Sequence, residues 1–216
     1  MKQQIIKQSI LFSMLAFLMI SGCKKEEFPS KTVEVSQPTI NLIGDPVIIL
    51  HVGDTYTDQG ATYYDSLYGD NGILSTTTEI STDQEGFFIV TYSAKNKYGF
   101  EGSGTRLVAV TEADDLLDVS GEYYHAARGG TAMISKVGRG VFVTDNVAGG
   151  STLQSAYFMF TADSTMVMPT QYLPAYVCSA NFIDPVYDFS ATPLPTYSYE
   201  IDGPAFGTGQ RLFEKQ

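Results

Sequence analysis

Several things are scarce in this chain, and each scarcity excludes something. Cysteine occurs twice, at Cys23 and Cys178, too sparsely for a disulfide framework or a thiolate metal site. Histidine also occurs twice, at His51 and His125, so no close-spaced His/Cys ligand set for a metal can be read. Tryptophan is absent, which counts against the strongest kind of sugar-stacking platform. There is no Gly-x-Ser-x-Gly, no phosphate loop and no dinucleotide fingerprint. Positive charge is short: 13 Lys and Arg stand against 24 Asp and Glu, a net charge of −11. A surface of that sign repels nucleic acid and anionic lipid, so neither is expected as a partner. Long helical periodicity is missing too, whereas Thr, Ser, Gly, Tyr, Phe and β-branched residues are abundant. That is the composition of an all-β protein.

The first residues form a targeting segment and are set aside from the fold. Lys2 and Lys7 make a positive start, and Ile10 to Ile20 is apolar apart from Ser13. This run is shorter than the roughly 20 residues needed to span a bilayer. It ends in Ile20-Ser21-Gly22-Cys23, which resembles the lipobox of bacterial lipoproteins. The resemblance implies a signal peptide over 1–22 and a mature chain starting at Cys23, whose sulfur carries diacylglycerol. Further acylation would make the anchor stable, because one chain alone holds a membrane only marginally. That covalent lipid is the only attached group expected; no cofactor is. Cys178 would then have no intramolecular partner. Lys24-Lys25-Glu26-Glu27 resembles the surface-export signal of Bacteroidota lipoproteins. It implies an outer-membrane location, lipid-anchored and facing the exterior. Residues 23–37 read as a polar tether.

From Pro38 the pattern becomes strand-like. Thr39 to Leu42, Val47 to Val52, Thr55 to Tyr64, Gly72 to Ser81, Gly86 to Ala94 and Gly104 to Thr111 are the expected strands. Gly44-Asp45-Pro46, Gly53-Asp54, Gly69 to Gly72 and Asn96 to Gly99 are turn signals between them. This spacing suggests an immunoglobulin-like sandwich over 38–112. The runs Pro38 to Gly44, Val52 to Ala61, Gly86 to Ala94 and Asn96 to Gly99 resemble the Ig-like domain of bacterial surface proteins. The chain departs from that pattern at Asn96, usually Asp, and at Phe100, usually Asn. The resemblance implies a spacer or interaction module. In the motif Gly53 and Gly60 would allow tight turns, and Tyr56 and Tyr92 would bury their rings.

An acidic linker, 112–117, leads to a second unit over 118–216. Thr131 to Val137, Gly140 to Asp145, Ser155 to Thr161, Thr165 to Met168, Val186 to Ala191 and Thr196 to Ile201 read as strands. Ser120-Gly-x-Tyr, Ile134 to Asp145, Gly149-Gly150 and Arg211-x-Phe resemble a C-terminal domain that follows this Ig-like module. It is found in Bacteroidota lipoproteins encoded beside glycan-import systems of the starch-utilisation type. The fold expected is a small antiparallel β barrel or sandwich. An outer-membrane transporter complex is the partner this resemblance implies.

Catalytic constellations are thin. Cys178 in Tyr176-Val-Cys-Ser179 reads as a small buried hydrophobe, since a nucleophilic cysteine needs a neighbouring base. Asp145, Asp163, Asp184, Asp188, Glu200 and Asp202 could supply the two carboxylates of a glycosidase, but most occupy turn-like positions. Asp54 with Asp58, or Asp65 with Asp70 and Asn71, could contribute to a calcium site, yet they lack the spacing of a known loop. The aromatics carry more. The segment Met168 to Val177 reads as a Pro-containing loop with Tyr172 and Tyr176, and loops on rigid scaffolds are where binding concentrates. Tyr197 and Tyr199, two apart on a strand, read as core. The ligand-binding candidates are therefore Gln171, Tyr172, Tyr176 and, at a rim, His125; no catalytic or metal-binding residue is assigned. The function expected is non-enzymatic, either binding glycan or serving a polysaccharide-uptake system. The alternative is a structural or adhesive module whose partner is protein.

Overall fold

A computed structural model describes residues 35–76, 79–207 and 209–216. The signal peptide, the lipobox with Cys23 and most of the tether lie outside the described residues. Alternating apolar and polar runs become strands throughout, and no α-helix occurs among the described residues.

The first lobe holds β1 (Thr39–Leu42), β2 (Val47–Leu50), β3 (Ala61–Tyr64), β4 (Asn71–Leu74), β5 (Gly86–Lys95) and β6 (Glu101–Val110). One sheet runs β1-β3-β4 and the other β2-β6-β5, with β2 parallel to β6 and the remaining pairs antiparallel. Ala61, Val90, Tyr92 and Val108 fill the space between them, joined by Ile40, Leu42, Tyr56 and Phe88. This is the sandwich expected from the sequence. Three strands are shorter than expected: β2 ends at Leu50, β3 begins only at Ala61 with Thr55 to Gly60 outside the ladder, and the strand from Asn71 ends at Leu74. Gly60 marks that first boundary. Its φ is +78°, and a Cβ there would meet the Leu74 carbonyl oxygen at 2.6 Å.

The second lobe holds β7 (Gly121–His125), β8 (Gly130–Gly138), β9 (Val141–Thr144), β10 (Ala156–Phe160), β11 (Met166–Val167), β12 (Gln171–Leu173), β13 (Cys178–Asp188), β14 (Thr196–Asp202) and β15 (Gln210–Lys215). They form one antiparallel sheet in the order β11-β10-β9-β8-β7-β15-β14-β13-β12, curled into a half-barrel. Its concave face is aromatic: Tyr123, Phe142, Phe158, Phe160, Tyr187, Tyr197, Tyr199 and Phe213 are all buried there. The phenol tips stay satisfied, as buried tyrosine requires. Tyr123 donates to the Val119 carbonyl at 2.7 Å, and Tyr199 to that of Val147 at 2.6 Å. The strand expected at Val186 to Ala191 is instead the last part of the longer β13, whose register shifts between Ile183 and Val186. Pro185 falls at that bulge, where a missing N–H breaks no ladder bond.

Val35–Gln216 is one compact unit, and the two lobes pack on each other. β6 explains why. Arg106, Val108 and Val110 face the sandwich core, while Leu107 and Ala109 face the convex side of the half-barrel. Phe87, Leu107 and Ala109 meet Val141 and Met159 in a separate apolar cluster. Polar bonds fix the junction. The Thr111 hydroxyl donates to the Phe160 carbonyl at 2.6 Å. One Glu85 oxygen accepts the backbone N–H of Glu112 at 2.7 Å and of Ala162 at 2.9 Å. Arg139 from the β8–β9 turn holds Asp115 of the linker through Nε at 2.9 Å and Nη2 at 3.2 Å. His51, exposed just past β2, joins this group through Arg139 and Glu112.

Candidate functional site

Beyond the apolar cluster the two lobes diverge, leaving a cleft of about 610 Å³. That lies inside the range of about 300–1,000 Å³ usual for ligand pockets. The Ig-like lobe contributes one face of β5 and β6. Residues of one parity share a face, so Ile89 and Thr91 stand beside Leu107, Thr105 and Ser103. The half-barrel contributes Ser155 and Tyr157 around β10, Thr170, Tyr172 and Pro174 around β12, and Ser179 on β13. The wall is apolar near Leu107 and rich in hydroxyls toward Ser103. No carboxylate, imidazole, ammonium or guanidinium occurs among its described lining residues. Such a wall can offer hydroxyl donors and acceptors and two phenol rings, and it carries no formal charge.

The residues singled out from the sequence separate in space. Tyr172 is 54 % exposed and lines the cleft. Tyr176, on the short 3₁₀ turn Pro174–Tyr176, turns the other way and packs on Phe206 with ring centroids 4.4 Å apart. The segment 168–177 is thus not one loop: β12 and that turn occupy most of it. Gln171 is only 8 % exposed, although it reaches the cleft wall. Its Oε1 accepts the Tyr157 N–H and its Nε2 donates to the Tyr157 carbonyl, both at 2.8 Å. The side chain acts as a one-residue strand, joining β12 to β10 across the gap in the half-barrel. His125 is buried at the end of β7, 4.9 Å from the Phe213 ring and away from any rim of the cleft. Tyr157, Thr91 and Thr105 are cleft residues that sequence reasoning did not select. Their shared face could be read only once β5–β6 and β9–β10 were known to pack.

Of the carboxylates weighed for calcium, Asp54, Asp58 and Asp65 are engaged locally, Asp54 by the His51 N–H at 2.8 Å. Asp58 accepts Arg106 Nη1 at 2.9 Å and the Tyr92 hydroxyl. Arg106 is fully buried and also donates to the carbonyls of Asp45, Ile43 and Gly60. Burial pulls the Asp58 carboxyl upward. The bonds from Tyr92, from the backbone of Gly60 and Thr76 and from Tyr56 outweigh it and leave the carboxyl below its usual value. Asp65 caps its own turn by accepting the N–H groups of Leu67 and Tyr68, and it accepts Asn96 Nδ2 at 2.9 Å. Asn96, one of the two departures from the resembled pattern, is thus a donor that holds this turn. Cys178 is half-buried at the start of β13.

No curated protein sequence matches the chain. Among solved structures it is similar to the lipoprotein BT2262 from Bacteroides thetaiotaomicron, at 19 % identity over 83 % of this chain and 100 % of that one. The TM-score is 0.38, too distant a likeness to carry an argument about function. Residues 40–110 match the family model described as bacterial surface protein, Ig-like domain. Over those residues the first lobe is similar to that family, and its strands β1 to β6 form an Ig-like sandwich against the half-barrel.

Proposed function

We propose that this chain is a non-catalytic, lipid-anchored surface protein that binds glycan in the cleft between its lobes. It would serve as a receptor or as an accessory of a polysaccharide-uptake system in the outer membrane. The observation that carries the reading is the cleft wall. Sugars present apolar C–H faces and many hydroxyls, and Tyr157 and Tyr172 offer flat rings beside Thr91, Ser103, Thr105 and Thr170. A wall with no acid–base pair suits binding better than hydrolysis, which needs two carboxylates about 5–10 Å apart. The lipobox-like Cys23 and the Ig-like lobe support placement at the cell surface, with the acidic residues behind Cys23 favouring export. The test is an array of plant, host and microbial polysaccharides probed with residues 28–216. Tyr172→Ala is expected to weaken a hit about tenfold or more, as loss of one stacked ring would. Tyr176→Ala should leave it near wild type. Equal loss from both variants would count against the cleft.

A second reading, a module whose partner is protein, has one observation in its favour. Ile73, 79 % exposed, and Tyr64 share the solvent face of the β1-β3-β4 sheet. Silence on the array, with a cross-linked outer-membrane protein recovered through that face and lost in Ile73→Asp, would replace the first reading with this one.

A further inference from the structure

One end of the Ig-like lobe is an aromatic tip built from two connections, 65–70 between β3 and β4 and 96–100 between β5 and β6. Asn96 ties them together. Its Nδ2 donates to the Asp65 carboxylate at 2.9 Å, and Asp65 accepts the N–H groups of Leu67 and Tyr68. Its Oδ1 accepts the N–H groups of Tyr98 and Phe100. The Tyr68 and Tyr98 rings stand 4.7 Å apart, and Lys97 Nζ lies over both, 5.1 and 5.2 Å from their centroids. Tyr98 is 61 % exposed and Leu67, next to Tyr68 on the first turn, 40 %. Lys95 is paired with Glu101 at 3.4 Å, and the side chains of Leu67, Tyr68, Lys97 and Tyr98 include no carboxylate. The Asn96 amide also donates to the Ser36 carbonyl at 2.9 Å. A Cβ on Gly102 would clash with the Pro38 carbonyl oxygen, so 36–38 packs against the same end of β6. The polypeptide following Cys23 therefore enters the fold at this tip.

Tyrosine at a lipid–water interface buries its ring and keeps its hydroxyl wet, and a neighbouring lysine lays its stem on apolar surface while its charge reaches the headgroup phosphates. Two tyrosines, a leucine and a lysine on one tip supply that chemistry. Ser36 is 13 residues beyond Cys23, a span of at most about 45 Å when fully extended. An anchored chain thus keeps the tip within reach of its own membrane, and docking becomes an intramolecular step that a weak patch can make. The other end of β6, a strand of 10 residues, is about 33 Å farther off. We propose that the tip of Leu67, Tyr68, Lys97 and Tyr98 docks into the interfacial layer of the membrane that carries the anchor, setting the Ig-like lobe end-on to it. With a net charge of −11 the chain suits a zwitterionic headgroup layer rather than an anionic one. The inference rests on the lipid-anchored reading above and adds an oriented contact to it. None of the four residues lines the cleft, so the contact is separate from glycan binding.

Tryptophan is absent from the chain, so a single introduced tryptophan reports alone. The experiment takes residues 23–216 carrying Cys178→Ser and couples Cys23 to a maleimide lipid in phosphatidylcholine vesicles. Tryptophan emission is read with and without lipid brominated on its acyl chains. Tyr98→Trp is expected to shift to the blue and to lose emission to the brominated lipid. Leu116→Trp, 87 % exposed beyond the far end of β6, should do neither. Adding Leu67→Asp to Tyr98→Trp should lower the docked-to-free ratio about tenfold, the loss of one leucine from the interface. Melting temperature checks that each variant is folded. Because this anchor is made chemically, lipidation at Cys23 is tested separately, by the mass of the chain recovered from cell membranes. Emission from Tyr98→Trp that ignores brominated lipid, equal quenching of Leu116→Trp, or quenching that survives Leu67→Asp would each overturn the proposal. So would a blue shift that needs membrane proteins in the vesicles, which would give the tip to a protein partner.

Discussion

Arg106 and Asp58 form the pair on which the Ig-like lobe most depends at the scale of single residues. Removing one partner strands the other charge, so Asp58→Ala should cost about 3–5 kcal/mol in urea unfolding at neutral pH. Tyr92→Phe, which deletes one donor to that carboxylate, should cost about 1 kcal/mol. The folded-state value of Asp58 is lowered, so its contribution is complete above the unfolded carboxylate value, about 3.9. It is lost as the pH falls through the lower folded value. Wild type should therefore lose stability below about pH 4, and Asp58→Ala should show a shallower acid dependence. A parallel acid loss in both would remove Asp58 from the account. None of this pairing was readable from Asp58 itself, which resembles any turn aspartate; its partner is in a strand far along the chain. Arg106 was more legible. It shares parity with Val108 and Val110, which places it inside, and a buried arginine requires an acceptor.

Single elements hold the half-barrel's shape through two local devices. Gln171 bonds both backbone groups of Tyr157, so Gln171→Ala leaves a donor and an acceptor of β10 unmatched. A loss of about 1–3 kcal/mol is expected by thermal or urea unfolding, with Gln171→Glu recovering only the bond to the Tyr157 N–H. Gly149 has φ +68°, and a Cβ there would meet His125 Cδ2 at 2.0 Å. Gly149→Ala should therefore destabilise by about 1–3 kcal/mol, more than the usual glycine-to-alanine change, and should shift the His125 NMR signal. Strand existence was largely legible here, because β8 and β14 alternate and β9 and β10 are short β-branched and aromatic runs between turn signals. β13 was not, because Asn181, Asp184 and Pro185 read as turn chemistry and a bulge absorbs them. The 168–177 segment misled for the opposite reason: its prolines flank a short strand rather than break one.

For the whole molecule, the two lobes behave as one body because β6 is buried on both faces from Arg106 to Val110. The unbroken apolar run Leu107 to Val110 is the sequence trace of that two-sided burial. Single-sheet alternation would have left it half polar. Calorimetry on residues 28–216 should show one cooperative transition, and Met159→Asp at the junction should split it or lower it by several degrees. Two well-separated wild-type transitions would mean the lobes fold independently. The cleft was the least legible part of the protein, since its walls come from strands whose packing no local pattern encodes. Its two-lobe origin also gives the most direct test of the function proposed. Thr105 faces the cleft from the Ig-like side, so Thr105→Trp should fill it while every half-barrel residue is kept. The measurement is binding of wild type and Thr105→Trp to the polysaccharide array, with melting temperature recorded for each. The account predicts a glycan bound by wild type and lost in a folded Thr105→Trp. Binding that survives the filled cleft, or no glycan bound by wild type at all, would contradict it.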